Sequence, residues 1–266
     1  MKLIDSHSHF DFSAFDNDRI EALARANKAD VSHIIISSTI AKRWSNVKNT
    51  VAQFSNKHTQ CHAAYGLHPL FIDEHTSDDL KKLKACLEKQ SPIAIGEIGL
   101  DYFMENPDKD KQLIFFIEQL KLAKDFNLPV IIHARKSLDI VLKQLRKITG
   151  LRGSIHSFSG SEQQAKQLIE LGFYLGFGGP ITYTRATRLR KLVSTLPLQS
   201  ILLETDSPDQ PDASHHQERN EPAYLPLIAE TIAELRGIDV TEVAKITTLN
   251  AQTLFKIVKP CTKIMV

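Results

Sequence analysis

Short runs of β-branched and aliphatic residues recur through this chain at intervals of about 30 residues, each followed by a longer stretch of helical periodicity. HIIISS from His33, PVIIH ending at His133 and SILLET from Ser200 are the clearest. None alternates polar with apolar residues, so each predicts a strand buried on both faces, as in a parallel sheet covered by helices. The predicted strands are Leu3–Ser6, His33–Ser38, Cys61–Gly66, Ile93–Ile98, Val130–His133, Gly153–His156, Phe173–Phe177 and Ser200–Glu204. DRIEALARANKAD, TSDDLKKLKACLEKQ, DKQLIFFIEQLKLAKDFN and SEQQAKQLIELG read as helices between them. In the third, Leu113, Phe116, Ile117, Leu120 and Leu122–Ala123 mark one apolar face. Thr76 and Ser161 stand at N-terminal cap positions, and Gly172 stops the last of these helices.

Eight strand-helix units in 266 residues predict an α/β fold of the (β/α)8 TIM-barrel type, a fold of about 250 residues. An open doubly wound sheet is the competing topology. It wants a glycine-rich phosphate loop after the first strand, and this chain has histidines there and no GxGxxG pattern anywhere. We expect one barrel domain over residues 1–258, closed by EPAYLPLIAETIAELRG and DVTEVAKITTLNAQTLFKIV, and a C-terminal tail over 259–266. With 33 basic and 31 acidic side chains the net charge is +2, which excludes the electrostatic footprint of a protein that wraps long duplex. Cys61, Cys86 and Cys261 form no CxxC pair, no N-terminal apolar segment precedes the histidines, and no run of about 18 apolar residues occurs. These features predict a cytoplasmic protein away from membranes, a monomer without an obligate protein partner.

The predicted strand ends carry the chemistry. The first ends at His7 and His9, the third runs into GLHP with His68, and the fourth ends GEIGLD with Glu97 and Asp101. The fifth ends at His133, the sixth at His156, and the eighth runs into Glu204 and Asp206; His62 lies within the third. In a barrel all C-terminal strand ends meet at one mouth, where active sites form. His7 and His9, two apart on a strand, point the same way and can reach one cation at about 2.0–2.1 Å. Glu97 and Asp206 follow apolar runs, and a carboxylate buried there needs a cation or donors. Six ligands exceed one tetrahedral catalytic zinc and suit two ions about 3.5–4 Å apart. Glu97 is the natural bridge, with His7, His9 and Asp206 on one ion and His133 and His156 on the other. Imidazole-rich ligation favours zinc, nickel, iron or manganese over magnesium.

The series DSHSHFD, GLHP, GEIGLD, PVIIHAR, HSFSG, LLETDSP and RNEP resembles, over essentially the whole chain and in order, the motifs of the TatD family of metal-dependent deoxyribonucleases. The resemblance implies a hydrolase of DNA phosphodiesters with two divalent ions (Mg²⁺, Mn²⁺ or Zn²⁺, with Ni²⁺ or Fe²⁺ also compatible) and DNA or an oligonucleotide as substrate. It carries the metal ligands onto His7, His9, Glu97, His133, His156 and Asp206, and places His68 near the substrate phosphate. Related barrels bridge their ions with a carbamylated lysine on strand four, where this chain has Glu97, as the nucleases do. The expected catalytic residues are Asp206, accepting the proton of the attacking water, bridging Glu97, and His68 as donor; Glu204 orients a ligand from behind. Arg135 and Arg219 are candidate phosphate contacts, Arg219 alternatively ordering its loop, and Tyr102 and Phe103 are candidate base-stacking residues. His215 and His216 read as a solvated loop. The alternative function is an amidohydrolase or lactonase acting on a small metabolite, because the same centre serves several reactions.

Overall fold

The computed structural model describes residues 2–257; the expected tail at 259–266, with Cys261, lies outside the described residues. Eight parallel strands follow one another in chain order: β1 (Leu3–Ser8), β2 (Val31–Ser37), β3 (Gln60–Tyr65), β4 (Ala94–Asp101), β5 (Val130–Arg135), β6 (Gly153–Ile155), β7 (Phe173–Phe177) and β8 (Ile201–Leu203). Past the end of β8 the chain meets β1. The Asp206 N–H donates to the His7 carbonyl at 3.0 Å and the His9 N–H to the Ser207 carbonyl at 2.7 Å, so the sheet closes on itself. Around it run α1 (Arg19–Lys28), α2 (Trp44–Phe54), α3 (Ser77–Gln90), α4 (Lys109–Asp125), α5 (Leu138–Lys147), α6 (Glu162–Glu170), α7 (Thr187–Thr195), α8 (Leu225–Arg236) and α9 (Val240–Phe255). This is a (β/α)8 barrel, as the periodicity predicts.

Four predicted strands, β1, β2, β4 and β5, run longer in the fold, and the extensions of β4 and β5 support each other. Gly99, Leu100 and Asp101 of β4 pair with His133, Ala134 and Arg135 of β5, so Asp101 and Arg135 are strand residues. The approach is close: a side chain at Gly99, where φ is 143°, would meet the His133 carbonyl at 2.0 Å, so only glycine fits.

The main core lies between sheet and helices, and includes Phe116 and Leu120 of α4, each fully buried and contributing about 1.5–3 kcal/mol. A smaller cluster joins Ile4, Ile35, Ile131 and Leu202 from four strands to Leu254 and Phe255 of α9. The inward face of α4 is rotated from the predicted one. Gln112, Phe115, Phe116, Gln119, Leu120 and Ala123 are buried, while Leu113, Ile117 and Leu122 are only partly so. The two glutamines displace apolar residues because their amides are bonded to backbone groups of Asp101 at the end of β4 and of Leu67 after β3. Among the described residues no helix is long and apolar enough to cross a membrane.

Candidate metal centre

Glu97, on β4 and 1% exposed, sits at the middle of the mouth. Its Oε2 faces His7 Nε2 at 3.2 Å and His9 Nε2 at 3.3 Å. Asp206 Oδ1 lies beside them, 3.2 Å from His7 Nε2 and 3.6 Å from His9 Nε2. The other oxygen, Oε1, faces His68 Nε2 at 2.8 Å, His133 Nδ1 at 3.0 Å and His156 Nε2 at 2.8 Å. His156 also lies within coordinating reach of the His7 and Asp206 group. All six predicted metal ligands, with His68, thus come together around one carboxylate.

Hydrogen bonds behind the rings sort these histidines. The Ser37 carbonyl can only accept, so His9 Nδ1 carries the proton at 2.8 Å and leaves Nε2 as a lone pair. Ser37 Oγ meets His7 Nδ1 at 3.1 Å, which points His7 Nε2 inward. His133 donates from Nε2 to Asp101 Oδ2 at 2.9 Å and presents Nδ1. His68 is the reverse case. Its Nδ1 accepts the Leu70 N–H at 3.1 Å, so its proton is on Nε2 and points at Glu97. His68 therefore presents an N–H to the cluster, whereas His7, His9 and His133 turn a ring nitrogen inward with the other nitrogen held from behind.

The polar atoms fit a cation. Buried His7 Nε2 and Glu97 Oε2 have no hydrogen-bond partner. Atoms about 2.1 Å from a shared ion lie about 3.0–3.4 Å from one another, much as His7, His9, Glu97 and Asp206 do. Burial pushes the Glu97 carboxyl up, but the imidazoles of His156, His68 and His7 outweigh it and hold it well below the usual range. Asp206 is likewise raised by burial and more strongly lowered, mainly by His7. Burial takes His68 down to about 4, and it is neutral. For His133 burial is outweighed by Asp101 and Glu97, which lift it to about 9, so an ion bound at Nδ1 would displace a proton from it.

Several supporting residues escaped the reading of the sequence. Asp5 accepts Thr205 N–H at 2.9 Å and Thr205 Oγ–H at 2.6 Å, fixing the segment that carries Asp206 against β1; burial raises its carboxyl to about 7. Gln119 binds the backbone of Leu67, accepting from N–H at 2.8 Å and donating to C=O at 3.1 Å, beside His68. Gln112 does the same to Asp101, at 2.8 and 3.0 Å. Gln210 donates to Asp206 Oδ2 at 2.5 Å and accepts from Ser157 Oγ at 2.8 Å. Asp5 and Asp101 carry a signal, an acid inside a strand with no wet face; the glutamines show only as polar gaps seven apart on a buried helix.

The remaining expected residues divide. Glu204 accepts the Ser157 N–H at 2.5 Å and lies 3.8 Å behind His156 Nδ1, its carboxyl raised by burial to about 8. Arg135 lines the cavity over the cluster, which has a volume of about 500 Å³. Arg219 does not reach the cavity lining. It pairs with Asp18 at 2.5 and 2.7 Å and donates to the Ala14 carbonyl, ordering the loop before α1. His215 bonds Asp212 at 2.7 Å and stacks on Tyr224, and His216 meets Tyr183 Oη at 3.2 Å, both away from the lining. Tyr102 packs under Lys109, and His62 bonds His33 Nδ1 at 2.9 Å outside the cluster.

A parallel barrel that gathers ligand imidazoles around a buried carboxylate at its mouth defines the class of metal-dependent barrel hydrolases. The family model described as TatD related DNase matches residues 4–256. YjjV of Escherichia coli K12, named an uncharacterized metal-dependent hydrolase, is 38% identical over 259 residues, covering 96% of this chain and 98% of YjjV. YabD of Bacillus subtilis, named likewise, is 34% identical over 257 residues, covering 96% and 99%. The crystal structure of YjjV matches with a TM-score of 0.90 at 37% identity, over 96% of this chain and 98% of that one. The chain belongs to the TatD family and is a metal-dependent hydrolase.

Proposed function

We propose that the protein is a deoxyribonuclease that hydrolyses DNA phosphodiester bonds with two divalent ions, acting as a cytoplasmic monomer on oligonucleotides or strand ends. The observation that carries this reading is the division of the cluster by Glu97. His7 and His9 face one oxygen and, with Asp206 beside them, would hold one ion; His133 and His156 face the other and would hold the second. When bound, divalent ions supply Lewis acidity, lowering the pKa of water from 15.7 to about 7 and drawing charge from phosphoryl oxygens. The family description, TatD related DNase, supports DNA as the substrate.

The side chains divide the remaining work. Asp206 accepts the proton of the attacking water, held in line by Gln210, and returns it to the leaving alcohol oxygen. Neutral His68 keeps its proton and offers the Nε2–H, which meets Glu97 in the structure, as a hydrogen bond to a non-bridging phosphate oxygen, its ring fixed by the Leu70 N–H. Water adds to phosphorus, the ester bond to the alcohol breaks, and a phosphomonoester and an alcohol leave.

End-labelled single-stranded DNA, incubated with the protein in Mg²⁺, Mn²⁺ or Zn²⁺, tests the reading. Laddering is expected with metal, absent with EDTA and absent in folded Asp206→Ala, and weaker as salt rises because the substrate is an anionic strand. No cleavage with any of the three metals, by protein that carries bound ions, would overturn the nuclease reading and favour an amide or lactone substrate.

A further inference from the structure

One permanent cation lines the cavity among the described residues, and it is Arg135 at the end of β5. Its guanidinium makes no hydrogen bond or salt bridge there. Asp101, its partner in the β4–β5 register, feels its charge, but its hydrogen bonds come from His133 Nε2 and from the Phe103 N–H at 2.9 Å. The guanidinium carbon lies 3.9 Å from the centroid of the Phe103 ring. That ring is 56% exposed, and Leu70, which also lines the cavity, is 44% exposed. The backbone beneath the pair is fixed: the Tyr102 N–H donates to the Arg135 carbonyl at 2.9 Å.

Each feature leaves recognition groups open to a ligand. An arginine against an aromatic ring keeps in-plane N–H groups free, a fork that fits two oxygens of one phosphate. Phe103 is outside the cavity lining itself but packs on Arg135, which is part of it, and the exposed side of its ring offers a face on which any base stacks. From this geometry we infer that Arg135 and Phe103 form a nucleotide subsite beside the metal centre. Arg135 holds a phosphate flanking the one under attack, and Phe103 stacks the base attached to it. The inference rests on the nuclease reading and assigns to it the two side chains that would hold the neighbouring nucleotide.

The test compares wild type, Phe103→Ala, Phe103→Tyr and Arg135→Ala on a single-stranded oligonucleotide and on bis(p-nitrophenyl) phosphate, which has no base. For Phe103→Ala and Arg135→Ala, KM for the oligonucleotide is expected to rise about fivefold or more, lowering its kcat/KM relative to that of the small diester. Phe103→Tyr keeps the stacking face and should retain the wild-type ratio. Single abasic replacements along the oligonucleotide should locate one position where wild type loses affinity and Phe103→Ala loses nothing further. Wild-type cleavage of DNA with an unchanged ratio in Phe103→Ala and no such position would overturn the subsite and leave the nuclease reading standing. Wild type that turns over the small diester but no oligonucleotide would overturn both.

Discussion

Asp101 determines which nitrogen His133 offers to the cluster, since a carboxylate on Nε2 keeps the proton there and the lone pair on Nδ1. Removing such an orienting group typically lowers metal affinity or activity about 10–100-fold. Asp101→Ala should show that loss in a chelator competition while the far-ultraviolet spectrum stays unchanged; unaltered affinity would mean that packing alone orients His133. The cluster residues were legible because each stands where an apolar strand stops, so a buried site had to explain it. Asp5, Ser37 and Gln210 were not, since one polar residue in a strand or loop has many ordinary explanations and becomes informative only when its partner is known.

Two glutamines one heptad apart turn α4 from a cover for the sheet into a brace for the site. Gln119 holds the Leu67 backbone next to His68, and both groups it satisfies are buried. Leaving a buried donor or acceptor unpaired costs about 1–3 kcal/mol. Gln119→Leu should therefore lower Tm by several degrees, and kcat should fall as His68 loses its placement. An unchanged Tm would contradict the brace. The helix was legible from its period but its inward face was not, because amide-to-backbone bonds leave no trace in hydrophobicity.

At α1 the reading of RNEP also shifts. Arg219 and Arg25 bind Asp18, just ahead of the first turn, and these hydrogen bonds hold its carboxyl well below the usual range. A depressed native pKa adds stability in full above the unfolded value of about 3.9, and this is lost as pH falls through the lower native value. The pair is partly solvated, so the effect is small. Asp18→Asn should be less stable than wild type at pH 6, and the gap should shrink steadily below about pH 4; a gap independent of pH would exclude this ion pair as its source.

Across the molecule, the proposed ligands come from β1, β4 and β5 and from the segments just after β1, β6 and β8, so one cluster ties the two sides of the β8–β1 seam together. A ligand that binds only the native state stabilises by about 2.7 kcal/mol at 100 times its Kd. Divalent metal should raise Tm, EDTA should reverse the rise, and Glu97→Ala should abolish it. The barrel was legible at this scale because eight doubly buried strands leave few topologies. Strand lengths were not, since a ladder runs as far as its neighbour allows.

The central claim, that Glu97 divides one cluster into two metal sites, is tested most directly by the metal content of the protein. Wild type, purified and saturated with Mn²⁺ or Zn²⁺, should hold two ions per chain by elemental analysis, and His133→Ala should hold one. A single ion in wild type under saturating metal, or two ions that persist without Glu97, would contradict it.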